Sequence, residues 1–491
     1  MEYYNLLNLP FDATPEEIRA AYFTAARKYH PDAGNGMEDG KFFIRIQEAY
    51  EVLSSPKRRK EYDRLIPEEL KEKSNIKIDV LYSQTSLSRS RGPQLLYVLL
   101  DLSAPPAVEY SETQPIYLCI ILDRSTSMRG ERMDMVRRNI DELIRWLRPN
   151  DIFSLVTFSD RAETVVYPTE IKNAPNIAAK IYGLKSSGST EIYQGLQLGY
   201  ETFKRFAGKS NFSKHLLLVT DGHTYGDEER CYQLAGLANQ DGIVINCFGI
   251  GSDWNDQFLD KLSVLSGGNA AFIQNEQDLK RAIGQKVRAF RSIFAQKAEL
   301  FLDIPQNVKL QYAFRNEPNV SPLEVIDPIQ LGHLGRDQKT SVILEFIIDR
   351  IGKNVPVVKI ASGKLMVDNP SRAIPVERYS IDLKLPVSRE ASNEPPPAEI
   401  MRAMSSISLY RLHERAKERI NAGDIDGATK YLKYLATGLF NRGDQRLAGI
   451  TLSEIAHLQT HRDLTKDGEK TIKYGTRALF LLPGPENVGN D

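Results

Sequence analysis

The first 66 residues carry hydrophobic side chains at helical spacing. Thr14 to Glu17 has the sequence of a capping box with proline at the first helical position, which predicts a helix start. One apolar face follows, formed by Ile18, Ala21, Tyr22, Ala25 and Tyr29. After a loop with three glycines at 33–40, a second face is formed by Phe43, Ile46, Tyr50 and Leu53. Two such stripes predict an antiparallel helical pair, and a short basic helix is expected after Pro56.

From residue 75 the hydrophobic pattern changes to period two, which is typical of strands. Apolar residues alternate with polar ones between Ile76 and Tyr82, and an apolar run follows at 95–102. The same period returns between Phe294 and Val387. Strands and turns without helices predict a β-sandwich. We expect the two segments to pair, so that residues 75–112 and 291–388 form one discontinuous domain.

The region between these segments alternates strands and helices. Continuously apolar runs mark the expected buried strands at 116–122, 152–158, 216–220 and 243–250. Amphipathic stretches such as 131–147 and 192–206 lie between them. This alternation predicts a doubly wound, Rossmann-like α/β domain at 113–290, with a parallel sheet covered by helices on both faces.

Residues 397–486 are predicted to form an α-helical C-terminal tail. Three consecutive prolines at 395–397 mark the linker before it. Apolar residues then recur at helical spacing, and the tripeptides Ala422-Gly423-Asp424 and Arg442-Gly443-Asp444 divide the stretch. The predicted fold class is therefore multidomain: an all-α N-terminal domain, a β-sandwich with an inserted α/β domain, and a helical tail.

Composition narrows the classes of function. The 491 residues contain 64 Lys plus Arg and 64 Asp plus Glu, so charge offers no case for nucleic acid or an anionic membrane as a partner. Three scattered cysteines argue against a disulfide scaffold or a clustered zinc site. No signal-peptide pattern is visible, and the apolar run at 116–122 is far shorter than the ~20 residues that span a bilayer. A cytoplasmic location is expected.

His30-Pro31-Asp32 stands where the first long helix must stop. Proline prevents helix continuation and moves the residue before it out of the α region. The tripeptide therefore presents an imidazole and a carboxylate at the tip of the helical hairpin, where a partner protein could reach both. Alone, the same tripeptide is also a common helix stop, so its sequence context decides.

That context resembles a J-domain, the DnaJ family module. The resemblance spans residues 1–66 and is carried by Glu2 to Tyr4, the helix from Thr14 to Tyr29, His30 to Asp32, Gln47 to Leu53 and Lys57 to Asp63. It implies a co-chaperone that stimulates ATP hydrolysis by a DnaK-type heat-shock chaperone. It also implies that His30, Pro31 and Asp32 contact the chaperone, together with the basic residues Arg19, Arg27 and Lys28.

The basic patch of this segment is thinner than in most J-domains. Ala20, Phe23 and Thr24 occupy helix positions that are often basic in the family, and Ala33 follows the motif where lysine is frequent. Residues 1–66 hold ten basic and eleven acidic side chains. We therefore expect weak steering by charge.

Five oxygen-bearing side chains lie in loops of the predicted α/β domain. Asp123, Ser125 and Ser127 follow the strand at 116–122, Asp221 follows the strand at 216–220, and Thr190 follows Gly188-Ser189. Loops at the carboxyl ends of parallel strands meet in one crevice. A ligand set made only of oxygens favours Mg²⁺ or Mn²⁺ over zinc.

The three loops together resemble the metal-ion-dependent adhesion site of a von Willebrand factor type A domain. The resemblance covers residues 113–290 and assigns all five side chains as metal ligands, with Ser189 at a position where glycine is frequent. It implies that an open coordination position accepts a carboxylate from a partner protein. The order of sandwich, type A domain and helical tail is also similar to that of bacterial cytoplasmic proteins.

These observations predict a co-chaperone adaptor that is not an enzyme. The type A domain would bind an unidentified partner through its metal, and the J-domain would recruit the chaperone. One alternative is a scaffold that serves an AAA+ ATPase, with the J-domain inactive or auxiliary. Another is a metal hydrolase in which His223 and Asp227 act as base and orienting residue. No Walker loop, nucleophile elbow or dinucleotide fingerprint is present.

Overall fold

The structure is a computed structural model, and the part of the chain that it describes has several gaps. The described residues are 2–29, 37–71, 74, 76–89, 92–105, 115–171, 174–205, 212–222, 226–318, 321–336, 338–352, 355–369, 372, 374–389 and 394–478. Within these ranges, no helix combines the length and the apolar character that a membrane crossing requires.

The N-terminal domain is helical where it is described. Its helices are α1 (Glu2–Leu6), α2 (Pro15–Tyr29), α3 (Met37–Leu53), α4 (Pro56–Arg64) and α5 (Glu68–Lys71). The predicted capping box forms, because the Thr14 N–H donates to Glu17 Oε2 at 2.9 Å and the Glu17 N–H donates to Thr14 Oγ1 at 3.2 Å. Helices α2 and α3 pack together, with Tyr22 stacked on Tyr50 at 4.1 Å between ring centroids.

Three strands and then an α/β region follow the N-terminal domain along the chain. The first strands are β1 (Lys77–Tyr82), β2 (Leu87–Ser88) and β3 (Gln94–Ser103). The α/β region follows with β4 (Ile116–Asp123), α6 (Glu131–Trp146), β5 (Ile152–Phe158), β6 (Ala162–Glu170), α7 (Ala174–Tyr182), α8 (Ile192–Arg205), β7 (Ser213–Thr220), α9 (Glu228–Gln240), β8 (Ile243–Ile250), α10 (Asp256–Leu265), β9 (Ala270–Ile273) and α11 (Glu276–Arg291).

After α11 the chain returns to strands and ends in helices. The strands are β10 (Ile293–Asp303), β11 (Val308–Glu317), β12 (Ser321–Leu323), β13 (Ile329–Gly335), β14 (Thr340–Ile348), β15 (Val357–Asp368) and β16 (Val376–Ser388). The tail helices are α12 (Ala398–Asn421), α13 (Ile425–Asn441), α14 (Gln445–His461) and α15 (Lys466–Ala478).

The α/β domain has a mostly parallel sheet between two helical layers. Its strand order is β6-β5-β4-β7-β8-β9, and successive residues of β4 point to opposite faces. Leu118 and Ile120 pack in the core under α6 and α11, whereas Cys119 and Ile121 pack in the core under α8, α9 and α10. This arrangement confirms the predicted doubly wound sheet.

Two edge strands of this sheet were not predicted from the sequence. Strand β6 pairs antiparallel with β5, and β9 is only four residues long. Residues of β6 are exposed or partly buried apart from Val166, because an edge strand is covered on fewer sides. A search for continuously apolar runs therefore misses it.

The sandwich consists of two five-stranded sheets, ordered β1-β3-β14-β11-β12 and β13-β10-β15-β16-β2 in the described residues. Strand β3 pairs antiparallel with β14, placing Leu99 opposite Ile343. The segments on either side of the α/β domain therefore do pair. Apolar side chains from both sheets, including Leu100, Leu300 and Leu344, form one core between them.

The tail is a series of antiparallel helices divided at the two glycine tripeptides. Gly423 and Gly443 have φ values of +76° and +83°, a left-handed conformation that glycine adopts without strain. Asp424 and Asp444 then cap the next helices, accepting bonds of 2.8 and 2.9 Å from the Gly427 and Leu447 N–H groups. The predicted helical tail is confirmed.

Candidate metal-binding and chaperone-binding sites

The sheet topology brings the ends of β4 and β7 together. From β4 the chain moves to β5 on one side, and β7 later pairs with β4 on the other side. The loops after these strands therefore diverge and leave a crevice at the carboxyl ends, the usual ligand position in such sheets. Asp123 is the last residue of β4, and Asp221 directly follows the last residue of β7.

Asp123 lies fully buried at the base of this crevice. Its Oδ1 accepts a hydrogen bond from the Ser125 N–H at 2.8 Å, and its Oδ2 accepts one from Thr220 Oγ1 at 2.6 Å. Burial raises the pKa of Asp123 to about 6, against the opposing effect of the hydrogen bonds from Thr220 and Ser125. The carboxylate is therefore positioned by its own loop and by the neighbouring strand.

The remaining predicted ligands continue from Asp123 as a chain of polar contacts. Ser125 Oγ lies 3.0 Å from Ser127 Oγ, and Ser127 Oγ donates to Asp221 Oδ1 at 2.7 Å. Thr190 lies beside Gly222, where an added Cβ would come within 3.1 Å of Thr190 Oγ1. The structure thus brings Asp123, Ser125, Ser127 and Asp221 into one network with Thr190 next to it.

Two contacts of the crevice were not predicted from the sequence. Arg132 of α6 donates to Asp221 Oδ2 in a close ion pair. Asp160 accepts bonds from the Ser189 N–H at 2.8 Å and from Ser189 Oγ at 2.6 Å, and these bonds lower its pKa. Ser189, at the position where glycine is frequent in the family, therefore ties the Thr190 loop to the loop after β5. No local pattern in the sequence predicts either contact.

The donors of the crevice suit a hard divalent cation. Its network contains two carboxylates and hydroxyl groups, and no sulfur or imidazole among the described residues. The described ranges contain no group of three or more His, Cys, Asp or Glu side chains that could hold a metal, so any ion here depends on the hydroxyls. Oxygen donors with low total charge fit Mg²⁺ or Mn²⁺.

The hydrolase alternative involves two residues at the edge of this region. His223 lies outside the described residues. Asp227 directly precedes α9, and its Oδ2 accepts a hydrogen bond from the Tyr193 N–H at 3.2 Å. That bond links the starts of α8 and α9, which is a positioning contact within the fold.

The predicted chaperone-binding residues are only partly within the described chain. His30, Pro31 and Asp32 lie outside it, and Lys28 belongs to α2 without a described side chain. Arg19 and Arg27 are exposed and share one face of α2 with Phe23, whose exposed fraction is 54%. The Arg19 guanidinium carbon lies 5.8 Å from the centre of the Phe23 ring. This outer face of α2 is available for contact.

Three family models match this chain. They are the DnaJ domain at residues 2–63, the von Willebrand factor type A domain at 118–285, and the Sll0103-like, C-terminal alpha-helical domain at 398–482. The chain therefore combines a J-domain, a type A domain and a helical tail. The two resemblances stated from sequence motifs are confirmed at the level of the domains.

One relative matches most of the chain, and another matches its N-terminus. The Synechocystis protein sll0103 is 26% identical over 394 residues, which cover 77% of this chain and 92% of the relative. The chaperone protein DnaJ of Caldicellulosiruptor bescii is 51% identical over 63 residues, which are 13% of this chain and 16% of that protein. The chain thus matches only about a sixth of the length of that DnaJ protein.

Solved structures share the architecture of the larger part of the chain. A von Willebrand factor type A protein from Catenulispora acidiphila aligns with a TM-score of 0.66 and 15% identity, covering 82% of this chain and 97% of that one. The ArnB paralog VWA2 from Sulfolobus acidocaldarius aligns with a TM-score of 0.51 and 14% identity, covering 83% and 99%. At these identities the likeness concerns the fold alone.

Proposed function

We propose that the protein is a co-chaperone adaptor. Its type A domain binds a partner protein through a Mg²⁺ or Mn²⁺ ion, and its J-domain recruits a DnaK-type chaperone and stimulates its ATPase. The observation that carries the proposal is the presence of both domains in one chain, with the hydroxyl and carboxylate network at the carboxyl edge of the sheet. The adaptor itself catalyses no reaction and acts in the cytoplasm.

The position of α2 supports the chaperone-binding half. Glu17, at the start of α2, accepts hydrogen bonds from Lys364 of β15 at 2.7 Å and from Arg378 of β16. This contact uses the first turn of the helix and leaves Arg19 and Arg27 exposed. A chaperone can therefore approach the outer face of α2 while the J-domain stays on the sandwich.

The geometry of the crevice supports the metal-binding half. The ion would be held by Ser125, Ser127, Thr190 and Asp221, and by Asp123 from the base of the crevice. A bound divalent ion supplies a positive charge that attracts a carboxylate of the partner protein. Hydroxyl ligands leave much of that charge unneutralised. Arg132 remains beside Asp221 as a second positive group for an acidic partner.

A scaffold for an AAA+ ATPase is the alternative function. The observation that favours it is the uncharged character of Ala20, Phe23 and Thr24 on α2, which weakens electrostatic docking of a chaperone. In that case the type A domain carries the function and the J-domain is auxiliary. Stimulation of a chaperone ATPase distinguishes the two.

The chaperone-binding half is tested by the substitution His30→Gln. The variant should lose stimulation of a cognate DnaK-type ATPase, because the imidazole belongs to the motif that contacts the chaperone. Steady-state ATP hydrolysis by the chaperone is measured with the full chain. His461→Gln, in the last turn of α14, is the matched control and should stimulate like the wild type. Equal stimulation by wild type and His30→Gln contradicts this half.

The metal-binding half is tested by calorimetry with Mg²⁺ and Mn²⁺. About one ion per chain should bind to the wild type, and Asp221→Ala and Ser125→Ala should weaken binding. Asp303→Ala, on the sandwich and with a side chain that is 83% exposed, is the control and should bind like the wild type. Zinc retained stoichiometrically against excess Mg²⁺ would contradict the proposed ligand set.

The two halves should fail separately. Asp221→Ala should lose chelator-sensitive partner capture and keep ATPase stimulation, whereas His30→Gln should show the reverse. Melting curves check that each variant is folded. If a partner binds equally with chelator and with Asp221→Ala, recognition occurs through the sandwich or the tail instead.

A further inference from the structure

A second polar cavity lies between the α/β domain and the sandwich. It has a volume of about 60 Å³ and is lined by residues of β7, β8, α11, β11 and β13. His215, one of these residues, is near the amino end of β7, whereas Thr220 at the other end of that strand contacts the crevice. The cavity and the proposed metal site are therefore at opposite ends of the parallel strands.

Two basic side chains line this cavity. Lys286 Nζ donates to Asn246 Oδ1 at 2.6 Å and to Asn269 Oδ1. The Arg315 guanidinium, whose residue is 4% exposed, donates to the carbonyl oxygens of Leu331 at 2.9 Å and Gly268 at 3.0 Å. These acceptors are all neutral. No Asp or Glu is among the described residues that line the cavity.

Buried polar side chains with unpartnered atoms face the same cavity. Asn246 is 1% exposed; its Oδ1 accepts from Lys286, and its Nδ2 group has no partner among the described residues. His215 is fully buried with Nε2 at 2.6 Å from Ser213 Oγ, and its Nδ1 also lacks a partner there. Neither ring nitrogen of His333, 5.1 Å from His215 between centroids, has one. Unsatisfied buried polar groups are costly. The Asn246 Nδ2 group is a donor, and each neutral imidazole donates from one of its two nitrogens, so an acceptor in the cavity would satisfy one donor of each residue.

The electrostatics of the cavity agree with this imbalance. Burial, with the nearby Arg315 charge, lowers the pKa of Lys286 to about 7. Burial, with the charges of Lys286 and Arg315, lowers the pKa of His333 to about 3. An anion would favour the charged form of each group.

We propose that this cavity binds a small inorganic oxyanion of the phosphate or sulfate class. Lys286 and Arg315 neutralise its charge, and Asn246, His215 and His333 donate hydrogen bonds to its oxygens. A single buried water needs roughly 10–15 Å³, so the cavity has room for about four to six heavy atoms, a range that includes the five of phosphate. The site is independent of the proposed metal site.

The proposal is tested by titrating the full chain with inorganic phosphate in a calorimeter. Phosphate should bind, and it should raise the melting temperature in proportion to the logarithm of its concentration, whereas chloride at equal ionic strength should not. Lys286→Met should weaken the phosphate affinity at least about tenfold, because a charge-assisted bond is lost. Lys280→Met is the matched control on the same helix, where Lys280 pairs with Glu142 at the surface, and it should bind like the wild type.

Asn246→Asp supplies an independent variant if Lys286→Met does not fold. It places a carboxylate beside Lys286, so it should raise the melting temperature without phosphate and abolish the response to phosphate. The proposal is overturned if the wild type shows no response specific to phosphate, or if Asn246→Asp binds phosphate as the wild type does. Adenosine monophosphate binding as tightly as phosphate would also overturn it, since the ligand would then be a phosphate group of a larger molecule.

Discussion

Arg132 places a guanidinium on the carboxylate that the proposed metal site requires. Its Nη1 donates to Asp221 Oδ2 and, at 3.5 Å, to the Ser127 carbonyl oxygen. The Asp221 side chain is fully buried in this pair, whereas the Arg132 side chain is 36% exposed. A metal ion at Asp221 would therefore share this carboxylate with a positive side chain. The ion pair with Arg132 should therefore lower the affinity of the site for the metal.

Arg132→Met should strengthen Mg²⁺ binding about fivefold. The reason is that a partly exposed ion pair is worth about 1 kcal/mol, and this amount no longer opposes the ion. Calorimetry with Mg²⁺ measures the change. Arg138→Met is the control, because Arg138 lies on the same helix and pairs with the exposed Glu276. Unchanged or weaker Mg²⁺ binding by Arg132→Met would show that the guanidinium does not compete.

At the scale of the element, helix α2 connects two parts of the molecule. Its first turn contacts β15 and β16 through Glu17, and Ile374, from the loop before β16, is buried in the core of the J-domain. Burial would raise the pKa of Glu17, but hydrogen bonds from Lys364, Thr14 and Arg378 lower it to about 2. The ionised carboxylate is therefore favoured in the docked state.

Glu17→Gln should lower the equilibrium constant for docking of the J-domain on the sandwich about tenfold at neutral pH, because charge-assisted hydrogen bonds are lost. The lowered pKa means that the contribution of Glu17 is complete above about pH 4.5 and is lost as pH falls through about 2. Energy transfer between labels on the two domains measures docking. The difference from wild type should be constant above pH 5 and shrink below pH 4.5.

Glu16→Gln is the matched control for this experiment, since Glu16 is the exposed neighbour of Glu17 on α2. It should dock like the wild type at every pH. A difference between wild type and Glu17→Gln that stays the same down to pH 2 would contradict the role given to the ionised carboxylate.

For the whole molecule, the tail joins the sandwich to the α/β domain. Ile400 and Ile407 of α12 pack with Leu99 and Ile343 of the first sheet. At its other end, Arg477 of α15 donates two bonds of 2.8 Å to Asp260 of α10, and Lys473 lies 2.8 Å from the same carboxylate. Burial would raise the pKa of Asp260, but Arg477 and Lys473 lower it to about 2. The buried carboxylate thus stays charged and holds α15 in place.

Arg477→Met should reduce the free energy of unfolding by about 3 kcal/mol, because Asp260 loses one of its buried partners. Faster hydrogen exchange in α15 should accompany the loss. Both are measured against Arg419→Met, which removes an exposed ion pair with Asp424 and should change little. If α15 exchanges at the same rate in Arg477→Met as in the wild type, this role of the ion pair is contradicted.

Much of the architecture was predictable because local patterns encode it. Helical spacing after the Thr14 capping box and buried runs such as 116–122 report which face of an element meets a core. Gly423 adopts its left-handed conformation because it lacks a Cβ, and the carboxylate of Asp424 caps the next helix, so both roles are determined locally. The motif Asp123, Ser125, Ser127 was identifiable for the same reason, since its spacing lies within a single loop. Its role as a metal site stays a prediction.

Contacts between distant segments were decided only by the tertiary structure. Arg132 meets Asp221 across 89 positions of sequence, and Arg477 meets Asp260 across 217. Strand β6 is a strand because β5 offers it an edge, and the cavity at Lys286 exists because two domains with separate periodicities meet there. The hydrophobic period of a segment shows which face of one element is buried. Ion pairs and cavities depend on which distant elements pack against that element, and the period does not contain this information.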